Sequence, residues 1–365
     1  MDKFIPVAEP NLEGKELEYV TDCIKSGWIS SSGKYIVDFE EKFSKYCAMK
    51  YGIATSNGTA ALHLALTALG IKKGDEVLIP NLTFIATANT VAYTGAKPIF
   101  VEAEKKTWNI DAKKIEEKIT SKTKAIIPVH LYGHPCDMDK IKDIAQKNNL
   151  YIIEDCAEAH GAEYKGKKIG SFSYISCFSF YGNKIITTGE GGMCLTNDKK
   201  LEEKMKVLRD HGMSKEKRYW HPIAGFNYRM TNLQAAVGVA QLERINELIE
   251  KRRKNAVLYD SLLKNVKGIT LQPEEKYAKK VCWMYCVLIE KDFPVSRDQL
   301  MSILKENEID SRPFFYPITV MPPYKSDEKF PVAEDISKKG INLPSSVNLK
   351  KEDIERITSV ISHIK

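Results

Sequence analysis

Ser176-Cys-Phe-Ser-Phe180 runs into Tyr181-Gly-Asn-Lys184, then through Ile185-Ile-Thr-Thr188 to Gly189-Glu-Gly-Gly192 and the apolar Gly192-Met-Cys-Leu-Thr196. The order is strand, lysine-bearing loop, glycine-rich turn, strand. Upstream, the same kind of short apolar run recurs. Glu76-Val-Leu-Ile-Pro80, Lys97-Pro-Ile-Phe-Val101, Ala125-Ile-Ile-Pro-Val-His130 and Leu150-Tyr-Ile-Ile-Glu154 read as strands, with helical segments such as Asp139 to Asn148 between them. Buried apolar strands alternating with helices predict an α/β domain with a mostly parallel sheet. Downstream, Thr231 or Asn232 caps a long amphipathic helix whose apolar face runs through Leu233, Val237, Leu242 and Ile245. It continues, bent or broken, through the charged Glu250-Lys-Arg-Arg-Lys254 run. That run marks the crossover to a smaller α/β unit, so the expected division is 1–250 and 251–365. Within the second unit, Val281 to Ile289 reads as a strand and Arg297 to Asn307 as a helix.

Composition bounds the function. The 365 residues suit one large unit plus a smaller one, and 43% apolar content supplies a sizeable core. No apolar run approaches the length of a membrane span, and Met1-Asp-Lys-Phe-Ile-Pro6 lacks the layout of a signal peptide. The expected compartment is the cytoplasm. The eight cysteines sit mostly singly in apolar runs, as thiols do in a reducing compartment. No CxxC pair appears, and Cys282 and Cys286 lack partners at zinc spacing, so no metal is expected. The net charge is +7, spread along the chain. Nucleic-acid binding needs a clustered basic stripe, so no nucleic-acid partner is expected. A mild positive field suits anionic small substrates.

Three pieces carry chemistry. In Ser56-Asn-Gly-Thr-Ala-Ala-Leu62, Gly58 permits close approach and Thr59 opens an apolar helix. The unpaired amides at such a helix start suit a phosphate, although alone the stretch reads first as an ordinary capped helix. In Ile152-Ile-Glu-Asp-Cys-Ala-Glu158, an apolar strand ends in Glu154 and Asp155. A carboxylate beyond a strand's carboxyl end can hold a protonated ring nitrogen, the partner that pyridoxal phosphate requires, or simply cap a helix. The third piece is the Lys184 loop. A partly desolvated lysine has a lowered pKa and can form imines, and Ser179 can donate to the same phosphate.

Gly27-Trp-Ile-Ser30, Ser56 to Ala60, Glu154-Asp155, Phe178 to Phe180, Lys184, Thr188 to Gly192 and Asn227-Tyr-Arg-Met-Thr-Asn232 occur together along nearly the whole chain. This set resembles the sugar aminotransferases of the DegT/DnrJ/StrS family. The resemblance implies the type I, aspartate-aminotransferase-like fold and pyridoxal 5′-phosphate (PLP) as cofactor. By resemblance, Lys184 holds the cofactor as a Schiff base and shuttles the proton, and Asp155 pairs the pyridine nitrogen. Glu158 lies near the ring's hydroxyl, Gly58, Thr59 and Ser179 bind the phosphate, and Phe84 stacks on the ring. Asn227 reaches the phosphate of a neighbouring subunit, which implies a homodimer with shared sites. Trp28, Arg229 and Tyr316 are the substrate-side candidates. His130 to Asp137, Arg218-Tyr-Trp-His221, Asp310-Ser-Arg-Pro-Phe-Phe-Tyr-Pro317 and Gly340 to Pro344 resemble the branch of the family that acts on GDP-4-keto-6-deoxy-D-mannose with L-glutamate as amino donor. UDP- or dTDP-linked 4-keto sugars are the alternative. Relatives often carry a histidine where this chain has Ile318, Thr319 and Val320, a segment expected near the sugar. Sugar dehydratases of this superfamily replace the lysine with histidine, so Lys184 favours transamination. A PLP-binding regulator would carry a fused DNA-binding module, for which the first ten residues leave no room.

Overall fold

The structure, a computed structural model, describes residues 3–364. Its central sheet has seven strands: β1 (Tyr51–Thr55), β2 (Glu76–Pro80), β3 (Lys97–Val101), β4 (Thr123–Ile126), β5 (Tyr151–Asp155), β6 (Ile175–Ser179) and β7 (Gly192–Thr196). The spatial order is β1-β7-β6-β5-β4-β2-β3. Only the pairings of β7 with β1 and β6 are antiparallel, so β7 alone runs against the rest.

Successive strand residues point to opposite faces, which sorts the apolar side chains into two layers. Leu78, Ile126 and Ile152 face one core with Phe39, Phe43 and Val239. Val77, Ala125 and Ile153 face the other with Leu62, Leu64, Ala65, Val91 and Met205. Helices therefore cover both faces. On the first lie α2 (Lys34–Tyr46), α5 (Met138–Lys147) and α7 (Asn232–Glu243). On the second lie α3 (Gly58–Ala68), α4 (Ala86–Tyr93) and α6 (Lys199–Arg209). The remaining amino-terminal helix, α1 (Glu16–Ser26), packs against α7.

Sequence and structure differ mainly at strand ends. The run expected to span 125–130 is a regular strand only to Ile126, because Pro128 has no N–H to give, and pairing resumes beyond it as a bridge between Val129 and Asp155. The strand expected from Val281 begins at Tyr285, since Cys282 adopts a left-handed backbone with φ 51°. The helix after Thr231 is capped as expected: Thr231 and Gln234 form a reciprocal capping box. It breaks at Arg244 and resumes as α8 (Ile245–Leu263).

A second, wholly antiparallel sheet follows. It comprises β8 (Ile269–Leu271), β9 (Tyr285–Ile289), β10 (Arg312–Pro313) and β11 (Gly340–Leu343), in the order β8-β9-β11-β10. With α9 (Arg297–Glu306), α10 (Pro331–Lys339) and α11 (Lys351–Ser362) alongside, it encloses a third core, to which α9 and α11 contribute. The first turns of α8 (Ile245, Leu248, Ile249) belong to the large sheet's core, and Ala256, Tyr259 and Leu263 belong to this one. We propose that the division expected near residue 250 corresponds to this change of partners within α8. Ile5 pairs with Ile309 and joins the third core, so the amino-terminal segment lies with the second sheet. No helix among the described residues is long and apolar enough to cross a membrane.

Candidate active site

In an open α/β sheet the carboxyl ends of parallel strands face one crevice. The ends of β1, β2, β4, β5 and β6 all open here onto a cavity of about 740 Å³. Gly58, Thr59, Phe84, Asp155, Glu158, Ser179 and Lys184 all line it.

At one end, Asn57 caps α3 by accepting from Ala60 N at 2.8 Å. The amides of Gly58 and Thr59 are left without intrahelical partners. Ser179 closes the other side so tightly that a Cβ on residue 58 would lie 2.7 Å from Ser179 Cβ. Glycine is required there by contact, not by backbone angle.

Asp155 ends β5 on the face covered by α4. Thr87 Oγ1 donates to its Oδ2 at 2.9 Å and Ala157 N to its Oδ1 at 3.2 Å. Burial raises its pKa, against those two donors and the charge of Lys184. Glu158 is also buried; burial pushes its carboxyl up to about 7, opposed by Lys184 and by the N–H of Tyr132, which donates at 2.6 Å. Lys184 Nζ stands over the Trp283 ring, 3.9 Å from its centre. Burial lowers its pKa, while Glu158 and Asp155 pull the other way. The site thus holds an amine with a weakened grip on its proton, facing two buried carboxylates.

Glu154, adjacent in sequence to Asp155, faces the opposite side of the sheet. It accepts from Gly170 N, Phe172 N and Ser173 Oγ at 2.9, 2.9 and 2.8 Å, and His130 Nε2 lies 3.3 Å away. His130 Nδ1 accepts from Cys136 N at 3.0 Å, which places the ring proton on Nε2, toward Glu154. His130, Glu154 and Cys156 bring possible ligand atoms within 4.8 Å of one another, but the carboxylate and the imidazole are taken up by these hydrogen bonds. This is a structural clasp.

Residues 10–362 match the model of the DegT/DnrJ/EryC1/StrS aminotransferase family. The GDP-perosamine synthase of Caulobacter vibrioides is 48% identical over 363 residues, covering 99% of this chain and 98% of that protein. That of Vibrio cholerae is 44% identical, with 98% of each chain covered. Among solved structures, Helicobacter pylori PseC, an aminotransferase involved in the biosynthesis of pseudaminic acid, superposes with a TM-score of 0.93 at 30% identity and 98% coverage of both chains.

The chain belongs to the DegT/DnrJ/EryC1/StrS aminotransferase family.

Its cofactor is pyridoxal 5′-phosphate, as in this family. The residues present fit that group. The Gly58–Ser179 cradle leaves room for a phosphate that a Cβ would fill. Thr83 Oγ1 and Asn183 Oδ1, both lining the cavity, are buried without hydrogen-bond partners, as groups awaiting a ligand are.

Not every expected residue converges on the cavity. Trp28 is exposed on a separate surface hollow, its carbonyl tied to Asn232 Nδ2 at 2.7 Å. Arg229 is held by Asp210 Oδ1 at 2.9 Å, with His211 and Asn227 hydrogen-bonded to the same side chain. Tyr316 is exposed beside the site, whereas its neighbour Phe315 lines it. None of these three lines this chain's own cavity. Asn227 is exposed and also outside this chain's own cavity. Ile318 and Thr319 are buried, Val320 is exposed, and none of the three lines the cavity. Thr319 N donates to Asn81 Oδ1, and Asn81 Nδ2 donates to Thr319 Oγ1, both at 3.0 Å. They lock the 317–319 segment to the loop carrying Thr83 and Phe84.

Trp283, Tyr132 and Arg312 line the cavity and Thr87 holds Asp155, and none of the four is a site residue expected from the sequence. Trp283 and Thr87 are ordinary core residues by pattern, and only tertiary contact singles them out. Arg312 had a signal: it sits in the Asp310-Ser-Arg-Pro stretch and is the arginine that lines the cavity mouth.

Proposed function

We propose that this aminotransferase moves the amino group of L-glutamate to C4 of GDP-4-keto-6-deoxy-D-mannose, giving GDP-perosamine and 2-oxoglutarate. The observation that carries transamination is the Lys184 amine, desolvated against Trp283 and facing Asp155 and Glu158. The choice of sugar rests on three near-full-length relatives named GDP-perosamine synthase, at 44–48% identity.

When bound, PLP supplies a carbonyl that takes up the amino group and a ring that accepts the electrons released at Cα. Lys184 anchors the cofactor at rest. Once released, its neutral amine takes the proton from Cα of glutamate and returns it to the carbon beside the ring. Burial makes that neutral form available, and the two carboxylates keep the amine basic enough to act. Asp155, fixed at both oxygens by Thr87 and Ala157, holds the proton on the ring nitrogen. Glu158 would serve the ring's hydroxyl, Gly58, Thr59 and Ser179 would hold the phosphate, and Phe84 would pack on the ring. Arg312 at the mouth meets the anionic part of each substrate. Asn227, outside its own cavity, serves the site of a second copy, so the active form is a homodimer. The enzyme works in the cytoplasm, a reading supported by eight buried, unpaired thiols.

The test is spectroscopic. PLP-loaded protein is treated with L-glutamate while the cofactor's visible band is followed. The donor is then removed and GDP-4-keto-6-deoxy-D-mannose added. Loss and return of the band support the full reading. Loss with return only on a UDP- or dTDP-linked 4-keto sugar keeps the transamination and replaces the substrate. No response to glutamate overturns the reading.

A further inference from the structure

Tyr132 lies in the turn Leu131–Gly133 after β4, with φ 51° and ψ 21°. A left-handed backbone is strained for a bulky L-residue and persists only where its surroundings hold it. Here the ring is fully buried between Trp283 and Phe315, stacked on them with centroids at 6.2 and 5.3 Å. Its hydroxyl oxygen accepts from Phe315 N at 3.0 Å. On the backbone side, Leu131 N donates to Asn109 Oδ1 at 2.9 Å. Gly133 fits so closely that a Cβ would stand 3.1 Å from both Glu158 O and Trp283 N.

The clamp has one consequence at the site. It aims the N–H of Tyr132 at Glu158 Oε2, 2.6 Å away. The other charged groups facing Glu158 are Lys184 and Asp155, and the Cys286 thiol lies nearby. Phe315 in turn packs on Phe84 at 5.7 Å, and Trp283 carries Lys184 over its ring. One buried side chain therefore touches the wall of the substrate end and fixes a carboxylate at the cofactor end.

We propose that Tyr132 is a positioning residue: its side chain, anchored in the 312–315 segment, holds a strained backbone whose N–H orients Glu158 in the cofactor site. The inference rests on the proposed role of Glu158 and adds a link between the two ends of the cavity. Movement of the 312–315 segment reaches Glu158 through a single residue.

The test is the titration of Glu158 in the cofactor-free full chain, read from carboxyl infrared difference spectra against Glu158→Gln in each background. In Tyr132→Phe the hydroxyl anchor is lost and the N–H drifts from the carboxylate. That N–H favours the ionised form, so its loss raises the Glu158 midpoint, by about one pH unit for a hydrogen bond to a charged group. Glutamate turnover of the PLP-loaded variant falls severalfold alongside. A folded Tyr132→Phe protein with an unchanged midpoint overturns the proposal, because a merely structural tyrosine would lower the melting temperature without moving that titration. Should Tyr132→Phe not fold, Phe315→Leu removes the stacked ring but keeps the N–H donor. A raised midpoint there supports the proposal and an unchanged one overturns it. The titration needs no cofactor, so wild-type protein that ignores glutamate sinks the functional reading separately.

Discussion

In the proposed reaction Lys184 must give up a proton readily and still be basic enough to take one from carbon. Its surroundings set both limits: burial against Trp283 weakens its hold on the proton, and Asp155 and Glu158 prevent a deeper fall. Lys184→Ala removes anchor and base together, so turnover should drop by on the order of 10⁴-fold. The phosphate cradle remains, so the variant should still bind PLP, and near-native turnover would rule out the assigned role. The neighbouring pair Glu154 and Asp155 marks what the sequence conveyed and what it did not. Two carboxylates at a strand end were plain, but strand alternation sends them to opposite faces, and only the structure gives Glu154 its clasp. Burial pushes Glu154 up, yet His130, Gly170 and Ser173 outweigh it and hold the carboxyl below its ordinary value of 4.5. Its stabilisation is therefore present above that value and lost as pH falls through the lower folded one. Glu154→Ala leaves the four donors Gly170 N, Phe172 N, Ser173 Oγ and His130 Nε2 without their carboxylate, which costs about 3 kcal/mol, or roughly 6 °C in melting temperature, at neutral pH. The gap from wild type should narrow in acid below pH 4.5; a gap independent of pH would refute the clasp.

At the scale of elements, the amino-terminal turn of α3 acts only because β6 ends beside it. Gly58-Thr59 was legible as a helix start, but the partner surface was not. Ser179 lies far along the chain, on a strand separated from β1 by the reversed β7. Such proximity depends on strand order, which local pattern does not encode. The same holds for Ile318 and Thr319, whose packing against Asn81 no periodicity announces. Strand ends were misjudged where Pro128 and the left-handed Cys282 interrupt apolar runs that otherwise read as continuous. Gly58→Ala tests the α3–β6 junction. The new methyl group meets Ser179 at 2.7 Å, so the cradle must open. The affinity for PLP should fall at least about tenfold, the loss of one or two hydrogen bonds to a charged phosphate. The far-UV circular dichroism should be unchanged, because helix interior and core are untouched. Unaltered PLP affinity would show that the phosphate sits elsewhere.

For the whole molecule, the question is where one active site ends. Lys184, Asp155, Glu158 and the phosphate cradle share one chain's cavity, whereas Asn227 and Arg229 stand outside it. If Asn227 completes a neighbour's phosphate site, two defective chains can repair each other. Lys184→Ala lacks the amine but presents an intact Asn227, and Asn227→Asp keeps the amine but offers the phosphate a like charge. Each homodimer should be nearly inactive. After dissociation and random reassociation, half the dimers are mixed. Each mixed dimer contains one site with both Lys184 and a correct Asn227, so activity should return to roughly a quarter of wild type. Equal mixing without dissociation provides the baseline. A mixture no more active than its separate parts would place Asn227 outside the phosphate site and leave each chain's cavity complete by itself. Recovery would instead make the dimer the smallest catalytic unit, since the groups that bind the cofactor would be divided between two copies.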